Sequence, residues 1–406
     1  MKITVGVFFG GCSVEHEVSV ISGLQAFAAL DREKYLPVPV YQAKDGSFYT
    51  GEAFGNIESY RDTSALLKKA TQVQLVREKG KVWLKKLSGF NKNLCALDVA
   101  LPVYHGTGGE DGCFQGMLEQ LKLPYAGCSV TASALGMDKY LMKGAFALAG
   151  VPCLDSLKIS RSRYFSDPDG VCSRVEGRFG LPVIVKPCNL GSSVGIGKAK
   201  SIDSLKEKLE DAFLYTDNVL CEKCIENLTE INCSVLGDSD EMVASVCEQP
   251  LGAGEILSYA DKYQKGGGSK GTKGAKTASA KGAESGMASL SRLVPAPLDE
   301  DMTKKVQETA KAAFEAIGGE GIARIDLMID GDSGELYVNE INTLPGSLSF
   351  YLWEAAGVSF SEVLDRLISL AFKRQRRRDA LTVSFDSNLL QTAAIGGTKG
   401  AKGAKS

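Results

Sequence analysis

GIARIDLMIDGDSGELYVNEINTLPG, residues 321–346, is the segment around which the rest of the chain is organised. It predicts a β-hairpin. Ile325, Leu327 and Ile329 alternate with Arg324, Asp326 and Met328, and beyond the turn Tyr337 and Ile341 alternate with Val338, Glu340 and Asn342. That is the period-2 spacing of two strands. Asp332-Ser333-Gly334 fits a three-residue loop with glycine at the left-handed position. This register sets Asp326 opposite Glu340 and Arg324 opposite Asn342, and opposed residues of an antiparallel pair share a face. One face then gathers Arg, Asp, Glu and Asn, while the other is apolar.

Two carboxylates and an amide oxygen on one rigid face are hard ligands of the kind Mg²⁺ takes, leaving its other positions to water and substrate phosphates. An arginine beside them suits a developing oxyanion. A solvated strand face with cross-strand charge pairs fits the hairpin equally well. The rest of the chain has to decide between the two.

The chain has 406 residues, enough for two or three domains. Its formal net charge of −2 gives no reason to expect nucleic acid or an anionic membrane as partner. No apolar run is long enough to span a bilayer, and the N-terminal MKITVGVFFGG lacks the longer apolar core of a signal peptide. The 11 cysteines, an odd number set among apolar residues, point to reduced, packed thiols in a cytoplasmic protein. Cys221 and Cys224 are the one close pair, with no second pair or histidine nearby to complete a zinc site.

Outward from the hairpin, the N-terminus predicts a strand over 2–9, a glycine turn, and a helix with apolar residues Val18, Ile21, Leu24, Phe27 and Leu30, N-capped by Ser13. Such a strand–turn–helix unit leaves a helix N-terminus open to a ligand. Glu15 in its first turn either complements the helix dipole or holds a ligand's ammonium group. Residues 35–49 read as strand and turn, and 72–86 as a hairpin about Lys79-Gly80. A buried strand over 97–103 runs into the polar loop 104–112, YHGTGGEDG. The only two histidines, His16 and His105, sit in loops of this kind and read as hydrogen-bonding supports rather than catalysts.

Further on, helices are expected over 113–121, 131–149, 302–317 and 360–374, and short strands over 124–127 and 181–187. The small-residue loop 188–197, preceded by Lys186, suits backbone amides and hydroxyls folded over phosphates, though a plain hairpin turn reads the same way. Glu222 within the apolar VLCEKCI offers one acceptor at a strand edge, as an adenine amino group requires and as an ordinary sheet edge also provides. Glu230 opens another strand. Residues 264–289 form a low-complexity insert with five lysines and one glutamate between 264 and 286, too polar to bury surface. GTKGAK recurs at 271–276 and 397–402, and no physical account of the recurrence offers itself. Beyond about Arg378 the tail is peripheral.

Together the ordered motifs GGCSVEHEVSVISG, HGTGGEDGCFQG, YAGCSVTASALGMDK, VIVKPCNLGSSVGIG and GIARIDLMID with NEINTLPG resemble those of the D-alanine–D-alanine ligase family of the ATP-grasp superfamily, over residues 1 to about 372. The resemblance implies an α/β (α+β) ATP-grasp fold with an N-terminal parallel α/β domain at 1–128. A central subdomain at 129–222 and a C-terminal catalytic domain at 223–375 would sandwich ATP, with a tail at 376–406. It implies ATP and two Mg²⁺ or Mn²⁺ ions as cofactors, two D-alanine molecules as substrates, a homodimer, and a role in peptidoglycan precursor synthesis. By the same pattern Asp326, Glu340 and Asn342 hold the metals. Lys139 and Lys186 contact phosphates, Glu222 reads adenine, Glu230 the ribose, and Lys262 reaches the phosphate and substrate region. Glu15 takes the first D-alanine's ammonium group and joins Ser192 and Tyr263 beside the second amino acid. Arg324 and the N–H of Gly346 form the oxyanion hole.

Two departures fall on the second-substrate side. Phe350-Tyr351 stands where the family carries His-Ser, and the segment after Tyr263, an ordered lid in the family, is rich in lysine and glycine. Tyr263 itself argues for an amino acid as second substrate, since D-lactate-using relatives resemble the family but carry Phe there. The remaining readings are a D-Ala–D-Ser or other D-Ala–X ligase, and a nucleotide-binding regulator without catalysis.

Overall fold

The computed structural model describes residues 2–90, 92–191, 194–251 and 292–382. Ser192, Lys262 and Tyr263, the insert and both GTKGAK copies lie outside the described residues. Within them the strands make three sheets.

The first sheet holds β1 (Ile3–Gly10), β2 (Tyr35–Gln42), β3 (Phe48–Thr50), β4 (Thr71–Glu78), β5 (Lys81–Lys86), β6 (Asn93–Leu97) and β7 (Val99–Pro102), in the order β6-β5-β4-β3-β2-β1-β7. Only β2-β1-β7 is parallel; the rest runs as antiparallel hairpins. The parallel part is buried on both faces, which is why β1 and β7 read as continuous apolar runs. The β4–β5 hairpin turns at Lys79-Gly80, both with positive φ, as a two-residue turn of this hand requires.

The second sheet takes β8 (Ser156–Ser160), β9 (Val183–Pro187), β10 (Gly197–Ala199) and β11 (Asn218–Lys223), in the order β10-β9-β11-β8. It has a core of its own, drawn from residues between Leu157 and Cys221. The third takes β12 (Leu228–Gly237), β13 (Met242–Pro250), β14 (Arg292–Leu293), β15 (Gly321–Asp330) and β16 (Leu336–Asn342), in the order β14-β13-β12-β15-β16. The opening hairpin is β15–β16.

The helix Phe360–Asp379 is amphipathic, and Leu364, Leu367 and Ile368 enter one core with Val5, Val7 and Leu101 of the first sheet. Full burial of one such side chain is worth roughly 1.5–3 kcal/mol, so this apolar seam, more than any surface charge, joins the two ends of the chain. Arg378 Nη1 adds a contact to Glu119 Oε1 at 2.7 Å, and Arg374 Nη1 donates to the carbonyl of Gly127 at 2.7 Å.

Several sequence expectations change. Ser13 is not the N-cap. The helix is His16–Ala29 with Glu15 at its cap and no side-chain cap bond, because the Ser13 hydroxyl is spent on the carbonyl of His105 and on the N–H of Glu15. The helix expected over 131–149 is two, Val130–Met137 and Lys139–Ala149. Asp138 takes extended backbone between them and caps the second, accepting from the N–H groups of Tyr140 and Leu141. The strand expected over 97–103 breaks at Asp98, whose carboxylate turns back to the N–H of Thr4. The strand expected over 124–127 is a single bridge, Ala100 to Tyr125.

Candidate active site

The hairpin register is the one read from the sequence: Asp326 pairs with Glu340 and Arg324 with Asn342. Its loop is longer than three residues, running from 331 to 335, but Gly334 holds the left-handed position. The register shifts once. Leu327 pairs with Val338 and Asp326 with Glu340, so Asn339 is an extra residue in β16. A bulge of this kind turns side chains from one face to the other. Val338, which strict alternation puts beside Glu340, therefore lies buried in the apolar core with Leu327 and Ile341. Asn339 becomes available to Lys186, whose Nζ reaches its Oδ1 at 3.0 Å.

Every acidic group of this face meets a cation. Arg324 donates from Nε and Nη2 to the two oxygens of Asp326 at 2.6 and 2.7 Å, and Asn342 Nδ2 donates to Asp326 Oδ2 at 3.1 Å. Burial disfavours the Arg324 charge, but Asp326 outweighs it and holds the guanidinium well above its ordinary value. Glu340 Oε2 lies 3.1 Å from Lys139 Nζ. Lys139 opens its helix directly after the Asp138 cap, and the bonds of its N–H to the carbonyl of Cys188 and of its Nζ to that of Leu190 aim it at the 188–191 loop.

Glu222, 1% exposed, binds Lys186 Nζ at 2.6 Å with one oxygen and Lys143 Nζ at 2.8 Å with the other. Burial raises this carboxyl, but the Lys186 and Lys143 charges outweigh it and keep it below the usual range. Lys143 received no role from the sequence. The signal was its position one helical turn after Lys139 on the same face.

Glu15 is buried with Oε2 against Gly106 and Gly191. A Cβ on Gly106 would sit 2.7 Å from that oxygen, and its φ of +74° already favours glycine. The N–H of Gly106 donates to Glu110 Oε2 at 2.6 Å, so two carboxylates flank one glycine. Burial, with the Glu15 charge behind it, pushes the Glu110 carboxyl up to about 8. Glu110 lay inside a loop recognised as polar, yet nothing in its spacing singled it out.

His105 Nδ1 meets the carbonyl of Leu344 at 2.9 Å and Nε2 meets Ser22 Oγ at 2.9 Å, while the N–H of Ser347 donates to that same Oγ at 2.9 Å. A carbonyl only accepts, so Nδ1 carries the proton, and Ser22 donates to Nε2 while accepting from Ser347. This network is complete with a neutral ring, and burial pushes His105 down to about 4. His16 is likewise held, by the carbonyl of Gly11 and the hydroxyl of Tyr41. Both histidines act as structural hydrogen-bonders, as expected.

Gly346 opens a tight turn in which Ser347, Leu348 and Ser349 all have φ near +50°. Glu230 is exposed on β12, two residues from Asn232, which pairs with Asp326. Thus Glu15, Lys139, Lys186, Glu222, Arg324, Asp326, Glu340 and Asn342 are joined by direct contacts or strand pairing or lie around one loop. Among the described residues no three His, Cys, Asp or Glu side chains cluster as a metal site, and no helix is long and apolar enough to cross a membrane.

The family profile described as D-ala D-ala ligase N-terminus matches residues 4–128, and that described as D-ala D-ala ligase C-terminus matches 145–369. The chain belongs to the D-alanine–D-alanine ligase family. It is 34% identical to the D-alanine–D-alanine ligase of Thermosipho melanesiensis, over 96% of this chain and 98% of that one. Among solved structures it is similar to the D-alanine–D-alanine ligase from Coxiella burnetii, at 28% identity, TM-score 0.74, and 93% and 97% coverage. It is as similar to the VanG D-Ala:D-Ser ligase from Enterococcus faecalis, at 28% identity, TM-score 0.74, and 91% and 100% coverage. The fold is that of this family, ATP-grasp, and membership implies an ATP-dependent ligase.

Proposed function

We propose that this chain joins two D-alanine molecules with ATP to give D-alanyl-D-alanine for peptidoglycan precursors, in the cytoplasm and as a homodimer. The observation that carries the reading is the pairing of Arg324 with Asp326 across from Glu340 and Asn342, beneath Lys139 and Lys186. A protein that only binds nucleotide needs no oxyanion arginine on that face. The three separate sheets support division into three domains, the second sheet running from 156 to 223, while Ala132, Met142 and Phe146 pack with the third sheet.

The donor set fits Mg²⁺ or Mn²⁺. Asp326 and Glu340 supply two carboxylates, and Asn342, whose Nδ2 points to Asp326, has its amide oxygen for a ligand. Two such ions held by these residues would neutralise the charge of the ATP phosphates. Arg324 and Lys139 are the cations these carboxylates pair with in the structure. Binding is then an exchange of partners, in which the phosphates draw Lys139 and Lys186 and the carboxylates keep a compensating charge.

The chemistry follows in two steps. The first D-alanine's carboxylate attacks the γ-phosphorus of ATP, giving an acyl phosphate and ADP. The second D-alanine's amine, deprotonated, attacks the acyl carbon, and phosphate leaves. Arg324 and the N–H of Gly346 meet the tetrahedral oxyanion. Glu15 takes the first ammonium group, and Ser192 and Tyr263 complete the trio beside the second. Glu230 meets the ribose, Lys262 the phosphate region, and Glu222 the adenine end through the two lysines it holds.

The test is ATP-dependent phosphate release with D-alanine alone, then with D-serine or D-lactate added. Release and dipeptide with D-alanine alone support the reading. Release only in a mixture moves the product to D-Ala–D-Ser or a depsipeptide, and ATP binding without release in any mixture leaves the regulator.

A further inference from the structure

Ser22 lies inside the first helix, His16–Ala29, and is buried. Its Oγ accepts from the N–H of Ser347 at 2.9 Å and donates to His105 Nε2 at 2.9 Å, and His105 Nδ1 donates to the carbonyl of Leu344 at 2.9 Å. One hydroxyl therefore reaches both flanks of Pro345-Gly346, Ser347 directly and Leu344 through the ring. The N–H of Leu344 donates to the Glu110 carboxyl, so Leu344 is held through both of its backbone groups. These partners come from the N-terminal part of the chain: Ser22 from the first helix, His105 and Glu110 from the loop that follows β7.

The segment they hold needs holding. Ser347, Leu348 and Ser349 follow one another at φ +52°, +50° and +50°, a left-handed run that side-chain-bearing residues adopt only when their surroundings impose it. Gly346, at the start of that run, is the one residue of 343–349 that is not buried, so its backbone is what the turn presents. A backbone N–H points where its peptide plane points. The Gly346 N–H belongs to the Pro345–Gly346 peptide, which lies between the two pinned residues. A donor aimed at a developing oxyanion helps most when it is fixed in place before the charge appears.

We infer that Ser22 is a positioning residue for the acyl-transfer step: by binding the Ser347 N–H and, through His105, the Leu344 carbonyl, it aims the Gly346 N–H at the tetrahedral oxyanion. The inference rests on the ligase reading above. Phosphorylation of the first carboxylate makes no tetrahedral carbon, so loss of Ser22 should spare that step and slow the attack of the second amine.

The test follows ATP labelled with heavy oxygen at its β,γ-bridge while the full-length protein makes dipeptide from D-alanine. Each return of the acyl phosphate and ADP to ATP moves label from the bridge to a non-bridging position of the β-phosphate, and each forward passage yields a dipeptide. The ratio of label movement to dipeptide is set within one variant's folded molecules, so reduced stability does not shift it. In Ser22→Ala this ratio should rise at least about tenfold, with the KM for ATP within about twofold of wild type. Ser22→Thr and Ser22→Val add nearly the same bulk and differ in the hydroxyl. The threonine variant should keep a ratio near wild type, and the valine variant should raise it as alanine does. An unchanged ratio in Ser22→Ala, or equal ratios in the threonine and valine variants, overturns the assignment. A wild type that makes no dipeptide from D-alanine overturns the ligase reading itself, which is a separate result.

Discussion

Lys186 and Glu222 lie on neighbouring antiparallel strands, joined at 2.6 Å in a pocket that leaves the carboxylate 1% exposed. The carboxylate is shared with Lys143, so one buried acid sets the position of two lysines on two different elements.

Glu222→Gln leaves those two buried ammonium groups without their counter-charge. Breaking a buried pair from one side costs roughly 3–5 kcal/mol, and denaturant midpoints should show a loss of that order. The KM for ATP should rise as Lys186 loses its anchor, while the ratio of ATP to GTP use stays at its wild-type value. A changed ratio would mean the carboxylate reads the base directly.

Arg324→Ala removes the oxyanion donor while Lys139, Lys186 and the acidic residues stay. Loss of one such donor costs about 10²–10³ in kcat. ATP binding, followed by equilibrium titration, should survive within a few-fold. Turnover equal to wild type would sink the mechanism.

His105 gives stability a definite pH course. Its folded value, about 4, lies below the ordinary 6.5, so the unfolded chain takes up a proton that the folded ring refuses. The contribution is complete above about 6.5, falls as pH drops, and is gone near 4, a difference of up to roughly 3 kcal/mol at 1.36 kcal/mol per unit. Glu110 acts in the opposite sense, since its carboxyl is raised to about 8. The protonated form that folding favours is lost as pH rises from the ordinary 4.5 through 8. Unfolding midpoints of wild type and His105→Gln across pH 4–7 separate the two: the acid-side slope should flatten in the variant.

Ser349→Gly should stabilise the protein. Ser349 sits at φ +50°, a conformation that costs a side-chain-bearing residue roughly 1–2 kcal/mol, and its buried hydroxyl has no hydrogen-bond partner among the described residues. Glycine relieves both, so a gain of about 1 kcal/mol is expected in thermal or denaturant unfolding. A loss instead would show that the hydroxyl is bonded in solution.

Much of this is legible in the sequence. Hairpin register follows from period-2 patterning, and the 72–86 hairpin, the 113–121 helix and the 360–374 helix followed from local rules of the same sort. Asn339 was not legible, because a bulge adds one residue without leaving a compositional mark, and Val338 was placed on the wrong face for that reason. Asp138 carried a readable cap signal that a continuous apolar pattern hid. The raised carboxyl of Glu110 depends on Glu15, far away in sequence, meeting it across the fold, which no local pattern encodes. Membership of the ligase family came from whole motifs in order, and it reached Asp326, Glu340 and Lys139 without the geometry that pairs them.

The seam between the first sheet and the helix Phe360–Asp379 has a mechanical consequence. Residues near both chain ends share one core, and Ser22 locks the first helix to the turn at Ser347. These parts form a fixed jaw. The sheet β8–β11 has a separate core, meets its surroundings through the polar contacts Lys143–Glu222, Lys186–Asn339 and Lys139–Leu190, and carries Lys186 and the 188–191 loop. Amides of residues 156–223 should therefore exchange with solvent as one block, with an opening energy distinct from that of the jaw, and ATP should slow that block first. Closing on substrate would then need movement in only about one sixth of the chain.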